Sequence, residues 1–103
     1  MASLKYWVWL SSLSGIGAYR ANRLLERFGS PEQIYFAEEN DYGELYGLRK
    51  NEISALSEKN LLGARKILED CAELGYRILT IYDGEYPARL GNISNPPVVL
   101  YVR

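Results

Sequence analysis

Leu13-Ser14-Gly15-Ile16-Gly17-Ala18-Tyr19-Arg20-Ala21 is the stretch on which the reading of this chain turns. It runs hydrophobic, any residue, Gly, hydrophobic, Gly, three of any kind, then Ala, the pattern of two helices joined by a tight hairpin. Gly15 and Gly17 permit backbone angles that a Cβ would forbid and let another surface come close. Ile16 is expected in the core between the helices, and the small Ala21 lets them cross tightly. Such a turn aims backbone N–H groups and the N-terminus of the second helix at one point outside, which suits a phosphate oxygen. Arg20 and Arg23, in or near the first turn, would neutralise adjacent phosphates through sequence-independent, salt-sensitive contacts. The competing reading is that the hairpin only packs its helices together. A second hairpin usually improves affinity, and Leu45-Tyr46-Gly47-Leu48-Arg49-Lys50 is the candidate. It keeps Gly47 but lacks the second glycine, so it reads as a degenerate structural repeat in which Arg49 and Lys50 leave phosphate contact open.

Working outward, Leu4 to Ser12 reads as the first helix of the pair. Tyr6-Trp7-Val8-Trp9-Leu10 is rich in β-formers, yet both parities are apolar, while Leu4, Trp7, Val8 and Ser11 fit a helical stripe. The second helix runs from about Ala18 to Phe28, with Ala21, Leu24, Leu25 and Phe28 on one face and Arg20, Arg23 and Arg27 on the other. Gly29 sits where a C-terminal cap belongs. Ser30-Pro31-Glu32-Gln33 then spells a helix start: Ser30 as N-cap, Pro31 in the first position, Gln33 closing a capping box. That short helix fades into the acidic loop of residues 38–41, and Tyr42 to Gly47 is expected to hold a helical turn. Arg49 to Glu58 is read as helical, and Asn60 to Leu74 strongly so, with Leu61, Ala64, Leu68 and Cys71 at helical spacing and Ile67 and Leu74 widening the stripe. Cys71 on that stripe reads as a buried structural thiol.

After Gly75 the texture changes. Arg77-Ile78-Leu79-Thr80-Ile81-Tyr82 is a β-rich run closed by Asp83-Gly84, and Val98-Val99-Leu100-Tyr101-Val102 is a second one after Pro96-Pro97. The gap between them, in which Tyr86 to Leu90 makes one helical turn, is long for a hairpin and long enough for a crossover between parallel strands. Two strands make a poor sheet alone, so the chain reads as the front of a longer protein whose α/β domain has only begun.

Composition narrows the function. In 103 residues there is one cysteine and no histidine, which removes a cysteine-rich zinc cluster, the commonest metal ligand and every Ser-His-Asp or Cys-His arrangement. An enzyme is disfavoured, and no cofactor is expected. The net charge is −1, but residues 1–31 hold Lys5, Arg20, Arg23 and Arg27 against Glu26, whereas residues 32–58 hold seven acids against Arg49 and Lys50. Local rather than overall charge governs polyanion binding. Trp7 and Trp9 are expected in the core rather than stacked on bases, and the acidic run with Asp83 and Glu85 reads as solvated rather than metal-binding. No signal peptide and no apolar run near ~18 residues is present, so cytoplasm is the expected location.

Several of these strings resemble the DNA-processing protein A family (DprA, also called Smf). They are Tyr6-Trp7-Val8-Trp9-Leu10 with Leu13-Ser14-Gly15-Ile16-Gly17, and Leu24-Leu25-Glu26-Arg27-Phe28-Gly29-Ser30-Pro31. Further on come Gly75-Tyr76-Arg77-Ile78-Leu79-Thr80, Tyr86-Pro87-Ala88-Arg89-Leu90, Ile93, Pro96-Pro97 and Val99-Leu100-Tyr101-Val102-Arg103. The resemblance spans essentially the whole chain. It implies a mainly α fold, with a helix-hairpin-helix or sterile-alpha-motif-like (SAM-like) domain over residues 1–75. Residues 76–103 would then be the first two strands of an incomplete Rossmann-like α/β domain. It also implies a bacterial cytoplasmic protein that binds incoming single-stranded DNA in natural transformation, dimerises and helps load the recombinase RecA. In the family the main single-strand site and the dimer surface lie in the Rossmann core, which would begin after Arg103. Only Gly15, Ile16, Gly17, Arg20 and Arg23, with Gly47, Arg49 and Lys50 of the second hairpin, are therefore candidate DNA contacts here. The alternative is a protein-interaction domain that holds a dimer or a competence partner through its acidic, tyrosine-rich side and has no DNA binding of its own.

Overall fold

The computed structural model describes residues 4–13, 15–38, 41, 42, 49–91 and 96–102. Helix α1 (Leu4–Ser12) lies at the centre, and Tyr6, Trp7, Val8, Trp9 and Leu10 are all buried. Five consecutive buried residues leave no polar face, and this is why the stretch shows neither clean helical nor strand periodicity: a helix apolar all round is one covered on every side. Its cover is α2 (Ala18–Phe28), α3 (Pro31–Phe36), α5 (Leu62–Leu74) and strand β2 (Val99–Val102); α4 (Lys50–Leu56) comes between α3 and α5 along the chain.

The punctuation is local, and the Gly29 cap, the Ser30 N-cap and Pro31 stand where the sequence spelled them. Gly29 adopts φ +93 and closes α2 through its N–H to the Leu25 carbonyl at 2.8 Å, an angle that costs an L side chain about 1–2 kcal/mol. Ser30 Oγ then accepts the Gln33 N–H at 3.3 Å with Pro31 in the first turn, so α3 begins as α2 ends. The helix read over 60–74 forms from Leu62, and Ala64 is its buried contact with the core. Two expectations there are corrected. Leu74 is exposed, and Cys71 is half-buried at the edge of a groove of about 360 Å³ shared with Ile67, Leu74, Tyr76 and Tyr101. The stripe is apolar along its whole length, but its last turn overhangs the sheet instead of meeting α1.

The strands give a second correction. β1 (Arg77–Thr80) and β2 pair antiparallel, with Arg77 opposite Val102 and Thr80 opposite Val99, not as parallel neighbours. Thr80 N–H donates to Asp83 Oδ2 at 2.6 Å and Asp83 N–H returns to the Thr80 carbonyl at 2.9 Å, turning the chain at once. The connection carries only a single helical turn, α6 (Ala88–Gly91), and Tyr86 donates its hydroxyl proton to the Pro97 carbonyl at 2.6 Å. A segment that folds back on its own strands in this way acts as an elaborated hairpin, not a crossover. Among the described residues, no helix is long and apolar enough to cross a membrane.

The connection between α4 and α5 is anchored by aromatic side chains. Trp9 Nε1–H donates to the Glu58 carbonyl at 2.9 Å, Tyr35 O–H donates to the Lys59 carbonyl at 2.8 Å, and Lys59 Nζ donates to Tyr42 Oη at 2.5 Å. Burial pushes the Lys59 ammonium down to about 8, and burial reinforced by Asp41 pushes the Tyr42 phenol up to about 12. The signs differ. Between pH 8 and about 10.5 the unfolded chain keeps a Lys59 proton that the folded chain has released, so stability rises with pH there. Above pH 10 the unfolded chain gives up a Tyr42 proton that the folded chain retains, so stability falls. The urea midpoint is therefore expected to increase from pH 8 to about pH 10 and to drop by pH 11.5. A steady fall from pH 8 would show that the ring faces hold the lysine's charge more strongly than burial expels it.

Candidate nucleic-acid interface

The hairpin is closed by its own backbone. Ile16 N–H donates to the Leu13 carbonyl at 3.3 Å, and Ala21 N–H donates to the Gly17 carbonyl at 3.0 Å as α2 starts. Gly15 takes φ +88, so its lack of a Cβ is a conformational requirement. Gly17 has an ordinary extended conformation, φ −89 and ψ −178, and a Cβ built there meets nothing within 4 Å. The fold itself makes no demand for glycine at 17; what its absent side chain leaves is open space before the N-terminus of α2. Ile16 and Ala21 are both buried in the core, as their places in the pattern require. The first turn of α2 carries no acidic residue, and its N-cap has no side chain to accept the first-turn N–H groups.

In front of this turn lies a groove of about 350 Å³, with Ser11, Ser12 and Gly17 on one wall and Pro97, Val98 and Val99 on the other. Asn22 fixes that second wall: its Nδ2 donates to the Ala18 carbonyl and to the Pro96 carbonyl, both at 2.8 Å. The entry to β2 therefore flanks the hairpin, and nothing in the sequence pattern announced it beyond a polar residue on α2.

The basic residues divide. Arg20 Nε donates to Glu52 Oε2 at 2.9 Å, with side-chain exposures of 23% and 7%. Glu52 Oε1 in turn accepts the Arg49 N–H at 2.9 Å, so one buried carboxylate ties the first turn of α2 to the first turn of α4. Arg20 is thus part of the interior framework as well as the hairpin's neighbour. Glu52 was not singled out from the sequence; its position three residues after Arg49, as an acid in the first turn of a helix, was the available signal. Arg23 is the outward cation: its side chain is 50% exposed, and its pairing with Glu26 at 3.4 Å is a surface i,i+3 contact of small energetic weight. Arg49 and Lys50 are exposed at the start of α4. Through Glu52 the structure thus brings Arg49 next to Arg20, joining residues drawn from the two candidate hairpins. Gly47 lies outside the described residues.

Asp83 and Glu85 are engaged elsewhere, the first with the Thr80 N–H and the second with Arg77 at 2.6 Å. Among the described residues, no group of three or more His, Cys, Asp and Glu side chains is placed to hold a metal ion.

The fold and site define a mostly helical protein with a two-stranded antiparallel sheet, whose helical hairpin presents an uncapped helix start beside exposed cations. Over 97 residues, 93% of the chain, the sequence is 31% identical to Protein Smf from Synechocystis sp., of which it spans 24%. Over nearly its whole length, the chain is thus similar to the amino-terminal region of a DprA/Smf protein. No family model matches the chain, and no solved structure matches it at a significant level. The chain spans about a quarter of the length of the curated relative it matches.

Proposed function

We propose that this chain is an accessory, non-catalytic DNA-binding module of a DNA-processing protein. Its residues 1–75 form a helix-hairpin-helix (SAM-like) domain, and residues 76–103 open a Rossmann-like domain. The hairpin holds one phosphate of the DNA backbone at the start of α2, and Arg23, Arg49 and Lys50 neutralise its neighbours without reading sequence. In the full-length cytoplasmic protein, this contact supplements single-stranded DNA binding and RecA loading in transformation by a dimerising core. The observation that carries the reading is the juxtaposition at one end of α2: Gly15 at φ +88, a bare first turn at Gly17, and exposed cations from both α2 and α4.

The test is fluorescence anisotropy of the chain against labelled single- and double-stranded oligonucleotides at two salt concentrations. Binding is expected to weaken steeply with salt. The Arg23→Glu substitution should reduce affinity roughly tenfold at low salt and flatten the salt slope by about one contact, with the melting temperature unchanged. Binding that ignores both salt and Arg23→Glu would sink the proposal.

One observation favours a second reading, a protein-interaction surface. Phe36 is 68% exposed although its ring contacts those of Tyr6 and Tyr35, at 5.7 and 5.2 Å between centroids, beside the acidic Glu38 and Asp41. Under this reading, Phe36→Ser abolishes partner or dimer contact and Arg23→Glu leaves it intact; under the first, Arg23→Glu weakens DNA binding and Phe36→Ser does not.

A further inference from the structure

We propose that Lys59 is an acyl-acceptor site: its ε-amine, held among the rings of Trp9, Tyr35 and Tyr42, takes an acyl group from an acyl thioester in preference to the other lysines of the chain. The backbone argument comes first. Lys59 lies in the irregular connection between α4 and α5, an exposed position that an acyl donor can approach without unfolding a helix. That connection does not drift, because Trp9 and Tyr35 donate to the consecutive carbonyls of Glu58 and Lys59. With its backbone pinned, the side chain is directed so that Nζ lies 5.1 Å from the Trp9 ring, 5.2 Å from Tyr35 and 5.0 Å from Tyr42.

The polar contacts complete the site. Tyr42 donates its hydroxyl proton to the Ile34 carbonyl, so the phenol oxygen meets Lys59 as an acceptor only, and Nζ donates to it at 2.5 Å. A neutral amine keeps that hydrogen bond with one N–H while its lone pair stays available. Among the described residues, the titratable and charged groups facing the site are the Tyr35 and Tyr42 phenols, Asp41 next to Tyr42, and Glu58 along the chain. Asp41 Oδ2 accepts the Glu38 N–H at 2.9 Å, and among the described residues no carboxylate forms an ion pair with Lys59. Lys66, by contrast, is paired with Asp70 at 3.1 Å on an exposed helix face. An amine moved from water into an aromatic surround loses its proton more easily, which agrees with the downward shift of Lys59. Three π faces act in the opposite sense by favouring the cation, and the pH at which the Lys59 rate levels off reads the balance.

In the reaction, the neutral amine nitrogen attacks the thioester carbonyl carbon and the C–S bond breaks. The thiolate leaves with the bonding pair, and the surplus N–H proton passes to water. The product amide can still donate its N–H to Tyr42 Oη, but the positive charge has left the three rings.

The experiment treats the full chain at pH 7.5 with a limiting amount of a small acetyl thioester and quantifies acetylation at Lys5, Lys50, Lys59 and Lys66 by peptide mass spectrometry. Lys59 is expected to react about tenfold faster than Lys50 or Lys66. The preference should disappear in 8 M urea, and the Lys59 rate should level off above about pH 8. Equal or slower reaction at Lys59 in the folded chain overturns the proposal. So does a preference that persists in urea, because the flanking sequence and not the aromatic site would then be its cause.

Discussion

Truncating Trp9 to alanine is expected to destabilise the fold by about 4 kcal/mol, in the range found when a large aromatic is deleted from a core. Trp9 is 2% exposed and meets Tyr35 edge-on at 5.0 Å between ring centroids. Its indole N–H is the donor that satisfies the Glu58 carbonyl. The substitution therefore opens a cavity in the central helix and releases the α4–α5 connection together. For a domain of this size, whose whole stability is expected to be of order 5–15 kcal/mol, such a loss lowers the melting temperature by roughly 15–30 °C. Thermal and urea unfolding followed by circular dichroism measure it. A cost below about 1 kcal/mol would mean that Trp9 is not core, and would reopen a base-stacking role for it.

The second large effect is expected at Glu52. Glu52→Ala leaves the Arg20 guanidinium half-buried without that partner and also frees the Arg49 N–H at the start of α4. Removing one side of a buried ion pair costs about 3–5 kcal/mol in general; with Arg20 retaining some solvent contact, about 2–3 kcal/mol is expected here. The double variant Arg20→Met with Glu52→Met should recover most of the loss, because apolar side chains of similar volume carry no desolvation penalty. A double-mutant cycle in urea measures the coupling, and a coupling near zero would show that the pair does not join the two helices. The same cycle bears on function. Arg20→Glu sets a second carboxylate against Glu52, so any DNA-binding defect it causes is mixed with damage to the fold. Arg23 carries no such burden and is the cleaner probe of phosphate contact.

Most helices and their ends were legible because their causes lie within four or five residues. The spacing of Ala21, Leu24 and Leu25, the Gly29-Ser30-Pro31 handover, and the break at Gly75 all follow from backbone angles and near-neighbour hydrogen bonds. The core roles of Ile16 and Ala21 were legible for the same reason, since hairpin geometry leaves few residue types that fit. The regions of β structure were also legible, but the direction of their pairing was not. Arg77 meets Val102 because Asp83 and Tyr86 fold the connection back on itself, a set of contacts that no strand propensity encodes.

What the sequence by itself determined was therefore a helical hairpin with a basic second helix, followed by a short β region, in a pattern specific enough to match the DprA/Smf family. Tertiary structure alone decided where the polar side chains of those elements point. Arg20 turns to a carboxylate 32 positions away, Asn22 secures a wall 74 positions away, and Lys59 enters a ring of aromatics drawn from three separate segments. Helix formation is a near-neighbour property, whereas the partner of a buried charge is whichever group packing brings within about 3 Å, and packing is settled by the whole chain at once.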